Sequence, residues 1–128
     1  MKFLLDTHAF LWFVWNDPAL SVSAQRAIAE PNNEILVSVA ICWEISIKTS
    51  LKKINLGESA RTFLPREIIN NRFDLLTIAM SHATFVETLP HHHKDPFDRI
   101  LIAQSLVVTL PIISNETLFD SYGVTRLW

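Results

Sequence analysis

Residues 91–99 read HHHKDPFDR and pose a choice between two metal chemistries. His91, His93 and Asp95 fit H-x-H-x-D, the opening of a zinc signature built on imidazole. Asp95 and Asp98, on either side of Pro96-Phe97, instead offer carboxylates of the kind that hard cations such as Mg²⁺ and Mn²⁺ prefer. The full zinc pattern needs another histidine where Pro96 stands, and no histidine follows His93. Only His8 and His82 remain elsewhere. Weight therefore moves to the aspartates, with His91 and His92 as surface residues.

Three more acids stand where chemistry could be done. Asp6 directly follows the apolar run Phe3-Leu4-Leu5, and Glu116 follows Ile112-Ile113-Ser114. Glu44 is flanked by Ile41, Cys42, Trp43, Ile45 and Ile47, and a carboxylate in such company needs a partner or a metal. Each also has a plain structural reading. Asp6 and Asp95 suit helix N-caps, and Glu44 can pair with Lys48 at i,i+4. Several carboxylates gathered in one cleft repel each other unless a cation is present. A bound metal would acidify a water and stabilise charge building up on a phosphate. That is the chemistry of a metal-dependent nuclease.

The elements that must position these acids alternate between strand and helix. Lys2–Leu5, Glu34–Val37, Phe73–Thr77 and Pro111–Ser114 read as strands, with Val124–Leu127 as an edge strand. Helices are expected over Ala9–Trp15, from a Ser23 cap through Ile28, and from a Ser38 cap over Val39 to about Lys53. Further helices are expected over Glu58 to about Asn70 with a break near Pro65, over Ser81–Leu89, and from Pro96 through Val107. A short one covers Glu116–Ser121. This alternation predicts an α/β domain with a mostly parallel sheet. Ligands in such sheets collect beyond the carboxyl ends of the strands, near the reversal of strand order. Asp6, Glu44, Asp95, Asp98 and Glu116 all fall at that rim.

Composition narrows the choice. The chain has 128 residues and reads as one domain over 1–128. Two glycines, Gly57 and Gly123, are too few for a Walker A loop or a G-x-G-x-x-G fingerprint. Cys42 is the only cysteine, which excludes an internal disulfide and a cysteine-cluster zinc site, and it reads as a buried free thiol. A net charge of −2 gives no global footprint for nucleic acid, so phosphates would have to be met locally. The apolar FLWFVW segment is flanked by Asp6, His8 and Asn16, which makes neither a membrane span nor a leader peptide, and a cytoplasmic protein is expected. Trp12, Phe13 and Trp15 are expected mostly in the core, with a partner groove or dimer face as the other use for them.

Four blocks, LLDTHAFLW (4–12), SVAICWEISIK (38–48), LPHHHKDPFDRILIAQ (89–104) and ISNETLFDSYGVTRLW (113–128), closely resemble PIN-domain proteins of the VapC toxin type. The resemblance runs over essentially the whole chain. It implies a three-layer α/β/α sandwich around a parallel sheet. It also implies a ribonuclease that uses Mg²⁺ or Mn²⁺, forms a homodimer and is inhibited by a cognate antitoxin. Residue by residue, Asp6, Asp98 and Asp95 would be metal ligands, and Glu44 would bind metal or orient the attacking water. Glu116 stands where the family usually has aspartate and would act at a second metal. Thr7 and Ser38 would donate hydrogen bonds behind the ligands, with Ser38 equally suited to be a plain helix cap. Lys48, Lys52, Arg99 and His93 would contact RNA, and for the lysines a solvated helix face is an even alternative.

An aspartyl phosphotransferase built on Asp6 fails because His8 stands where a second aspartate is needed. The rival from another class is a degenerate PIN module that binds RNA or a protein without cleaving. Glu116 favours it, and the retained Asp6, Glu44, Asp95 and Asp98 oppose it.

Overall fold

The computed structural model describes residues 1–128. Its strands are β1 (Lys2–Leu5), β2 (Glu34–Ser38), β3 (Asp74–Leu76), β4 (Ile112–Ile113) and β5 (Arg126–Leu127). They form one sheet in the order β3-β2-β1-β4-β5, and every neighbouring pair is parallel. Leu4 pairs with both Leu36 and Ile112, so β1 is the centre of the sheet. Leu4, Leu5, Val37, Ile112 and Ile113 are all fully buried. Continuous apolar strands are what a parallel sheet covered on both faces requires.

The helices are α1 (Thr7–Val14), α2 (Val22–Ala29), α3 (Val39–Ser50), α4 (Ala60–Asn70), α5 (Met80–Phe85) and α6 (Pro96–Val108). Short 3-10 helices cover Val86–Thr88 and Thr117–Tyr122. The chain first steps outward from β1 to β2 to β3, then jumps to β4 on the other side of β1 and continues to β5. Crossovers between parallel strands are right-handed as a rule, so reversing their direction lays helices on both faces, which makes the α/β/α sandwich. They also fix the topological switch between β1 and β4.

Local chemistry explains where the helices begin, and it corrects three expectations. Helix α2 is capped by Ser21, whose hydroxyl accepts from the Ala24 amide, and not by Ser23, which lies inside the helix. Helix α3 stops at Ser50, and Lys52 takes a left-handed turn at φ 59°. Pro65 sits inside an unbroken α4. An interior proline costs about 3 kcal/mol. Burial of Phe63 and Leu64 offsets it, at about 1.5–3 kcal/mol for each side chain.

Candidate functional site

Asp6 is buried at the carboxyl end of β1, where it is also the N-cap of α1. Its Oδ1 accepts from the Ala9 amide at 2.8 Å. Asp95 does the same for α6, with Oδ1 accepting from the amides of Phe97 at 2.8 Å and Asp98 at 3.1 Å. Pro96 occupies the first helical turn, as its missing N–H and fixed φ favour. In both aspartates the cap uses one oxygen, and the residue still lines the same cavity. The positive ends of two helices therefore meet at this point, which favours anionic groups there.

The cavity holds about 150 Å³ and has no hydrophobic residue in its wall. Asp6, Glu44, Asp95, Asp98 and Glu116 all line it, joined by Thr7, His8, Lys48 and Asn115. It lies between the ends of β1 and β4, at the switch point that the sheet order defines. Glu44 reaches it from the buried side of α3. Its Oε1 accepts from Thr7 Oγ1 at 2.5 Å and its Oε2 from Lys48 Nζ at 2.5 Å. Glu116 is exposed at the rim, where its Oε1 caps the following 3-10 helix by accepting from the Leu118 amide at 3.1 Å.

Electrostatics show what the arrangement lacks. Burial, then the neighbouring charges of Asp95, Glu44 and Asp6, pushes the Asp98 carboxyl up to about 7, against a lowering pull from His93. Burial likewise raises the Asp6 carboxyl, although the Ser114 hydroxyl, the Ala9 amide and His8 oppose it. Lys48 is held more firmly protonated, first by its bond to Glu44 and further by Asp95 and Asp98. Burial and mutual repulsion both disfavour the charged form of these carboxylates. No three His, Cys, Asp or Glu side chains close on a common point as they stand. The five carboxylates nonetheless supply oxygen donors in an apolar-free cavity, and so they suit Mg²⁺ or Mn²⁺ by type.

Two expected RNA contacts prove to be internal. Arg99 is buried, and its guanidinium donates to the carbonyls of Pro90 (2.8 Å), His93 (3.2 Å), Val86 (3.3 Å) and Leu89 (3.3 Å). It clamps the 86–93 segment onto α6 and has no surface left for phosphate. His93 stands behind Asp98, and its Nε2 is 2.7 Å from Asp98 Oδ2 but poorly aligned for a hydrogen bond. Its Nδ1 accepts from the Asp95 amide, and its own amide donates to Tyr122 Oη. His93 therefore backs the aspartates and is not part of the cavity wall.

Ser38 is fully buried and its hydroxyl is spent on structure, accepting from the Ala40 amide and donating to Gln104 Oε1 at 2.5 Å. Ser38 is thus the plain helix cap, and of the two Thr7 is the one that bonds a cavity carboxylate. Lys52 is exposed beyond the end of α3 and does not line the cavity. His91 and His92 are exposed.

Sequence reasoning missed His8, Asn115 and the part played by Ser114. Ser114 is fully buried, bonds Asp6 and accepts from the Glu116 amide at 2.9 Å. The available signal was its place immediately after β4, matching that of Asp6 after β1.

An open, all-parallel α/β domain with acidic side chains at its switch point is the class that fold and site define. The PIN domain profile matches residues 3–124, and the chain belongs to the PIN-domain family. Solved structures agree on the fold. The chain is similar to one in VapBC2 of Rickettsia felis bound to a DNA fragment from its promoter, with TM-score 0.73 and 13% identity, covering 99% of this chain and 98% of that one. It is also similar to one in DNA-bound VapBC from Salmonella typhimurium, with TM-score 0.72 and 16% identity over 99% and 97% of the two chains. A third likeness is to FitAcB from Neisseria gonorrhoeae, with TM-score 0.62 and 15% identity over 98% and 96%. No curated protein sequence matches the chain.

Proposed function

We propose that this PIN-domain protein is a metal-dependent ribonuclease of the VapC toxin type, which hydrolyses RNA phosphodiester bonds and is inhibited by a cognate antitoxin. The observation that carries the reading is the gathering of five carboxylates, from four separate stretches of sequence, around one apolar-free cavity at the switch point. The oxygens of Asp6, Asp95 and Asp98 not used for capping would hold Mg²⁺ or Mn²⁺, and Glu116 would reach it from the rim. The bound ion would supply an acidified water and positive charge beside the scissile phosphate. Glu44, bonded by Thr7 and Lys48, would bind the metal or orient the attacking water, and Thr7 fixes its rotamer. Lys48, and Lys52 further out, place positive charge along the exit of α3, where phosphates would be positioned without choice of sequence.

The partner reading rests on a second feature. An apolar groove of about 670 Å³ runs between α3 and α4, with Leu64, Ile68, Ile69 and Leu75 in its walls. Ile69 is 73% exposed and Leu75 53%. Trp12 and Phe13 instead pack partly against the core, and Trp15 is exposed away from this groove. The similar structures from Rickettsia felis and Salmonella typhimurium are VapBC complexes. We assign the groove to an apolar segment of the antitoxin, and we expect a homodimer in the cytoplasm. No helix is long and apolar enough to cross a membrane.

RNA cleavage with Mg²⁺ or Mn²⁺, with and without EDTA, tests the reading against Asp6→Asn. Asparagine keeps the α1 cap, so the fold survives. Cleavage should need the metal and fall at least about 100-fold in the variant, the scale of losing a group that acts on the transition state. Equal cleavage by both proteins, or none by either across varied RNAs and metals, supports the non-catalytic module instead.

A further inference from the structure

Lys48 is the one lysine or arginine in the cavity wall. It sits one turn along α3 from Glu44, its side chain 36% exposed against 6% for its partner, and the two lie 2.5 Å apart. Thr7 holds the other Glu44 oxygen. Both Glu44 oxygens are therefore engaged, one of them by an ammonium that repels an incoming cation while Lys48 remains in place. Four more carboxylates share the cavity, and those of Asp95 and Asp98 also pull on the ammonium. The lysine stem can swing outward, because its tip already borders solvent and flexible (CH₂)₄ chains reach well past their own helix.

We propose that Lys48 is a tethered counter-ion of the carboxylate cavity, held beside Glu44 in the metal-free protein and displaced when a divalent cation binds. This rests on the cavity being a divalent-cation site. Lys48 then has two opposed effects. It steadies the empty cavity by offsetting carboxylate repulsion, and it weakens metal binding by competing for Glu44. A phosphate-contacting lysine with no such role would leave metal affinity in the absence of RNA unchanged.

Mn²⁺ titration of the full chain without RNA, followed by calorimetry or by the electron spin resonance of free Mn²⁺, separates the outcomes. Wild type should bind Mn²⁺ and Asp6→Asn should not. No saturable binding by wild type would sink the cation-site reading itself. Lys48→Met keeps the length and apolar stem, and it should bind Mn²⁺ about 5–10-fold tighter while its metal-free form melts lower. Lys48→Arg, which keeps the charge, should stay near wild type. Unchanged or weaker Mn²⁺ binding by Lys48→Met, with wild type binding normally, overturns the proposal. Wild type supplies a check that needs no variant. Saturating Mg²⁺ should raise the acylation rate of the Lys48 amine several-fold over that of Lys52, and equal rates with and without Mg²⁺ count against displacement.

Discussion

Asp6 and Asp95 show that capping a helix and lining the cavity are not competing duties for a carboxylate. Each uses Oδ1 on backbone amides at a helix start, and an ionised carboxylate has a second oxygen to give. The cap also fixes the rotamer, so that a metal would meet an oxygen already in position. Glu116 has the same division of labour at an exposed place, where the longer side chain is less constrained. Its replacement by Gln should therefore lower RNA cleavage by less than about 10-fold, far short of the Asp6→Asn loss. A single-turnover rate comparison measures this, and equal losses in the two variants would place Glu116 among the essential ligands. The acids themselves were legible in the sequence, because each stands at a strand end, at a helix start or in an apolar helix. Their hydrogen-bond partners were not, since Thr7 meets Glu44 across 37 positions of chain only once the sheet has formed.

Helix α6 carries Asp98 and is capped by Asp95, and its placement depends on two buried polar side chains. Gln104 is fully buried, accepting from Ser38 at the end of β2 and donating to the Thr77 carbonyl. Arg99 gathers four carbonyls of the segment before the helix. A charged residue in D-R-I-L reads as exposed, because arginine is seldom buried unless its donors are met. Here the 86–93 chain folds over it and supplies carbonyls in place of a carboxylate. Arg99→Lys tests this structural role. An ammonium has three donors and cannot span the same carbonyls. Unsatisfied buried carbonyls cost about 1–3 kcal/mol, so the melting temperature should drop by about 5–10 °C. An RNA-contacting Arg99 would instead leave the melting temperature unchanged and weaken RNA binding. The misplaced cap at Ser23 has a similar origin. Ser21 and Ser23 are equally good caps in isolation, and burial of Ala24 and Ile28 on the helix that Ser21 starts selects between them.

Across the whole molecule, the acidic cavity and the apolar groove use different sides of one helix. Glu44 and Lys48 of α3 face the cavity, whereas Val39, Cys42 and Ser46 face the groove. Those two sets follow the 3.6-residue period, so the pattern could be read from SVAICWEISIK, but the groove could not, because its far wall is α4 and the edge strand β3. On the proposed reading these two sides separate inhibition from chemistry in a way that can be measured. Ile69→Asp puts a charge on the exposed wall of the groove, remote in sequence from every carboxylate of the cavity. Co-expressed with the product of the reading frame directly upstream, this variant should bind that protein about 30-fold more weakly, the scale of one lost interface anchor. Its RNA cleavage in the absence of that protein should match wild type. Gel filtration of the variant alone shows whether the groove is a homodimer face instead: a shift to monomer with unchanged partner affinity transfers the groove from antitoxin to second copy. Retained partner affinity in a variant that stays dimeric removes the groove from both roles.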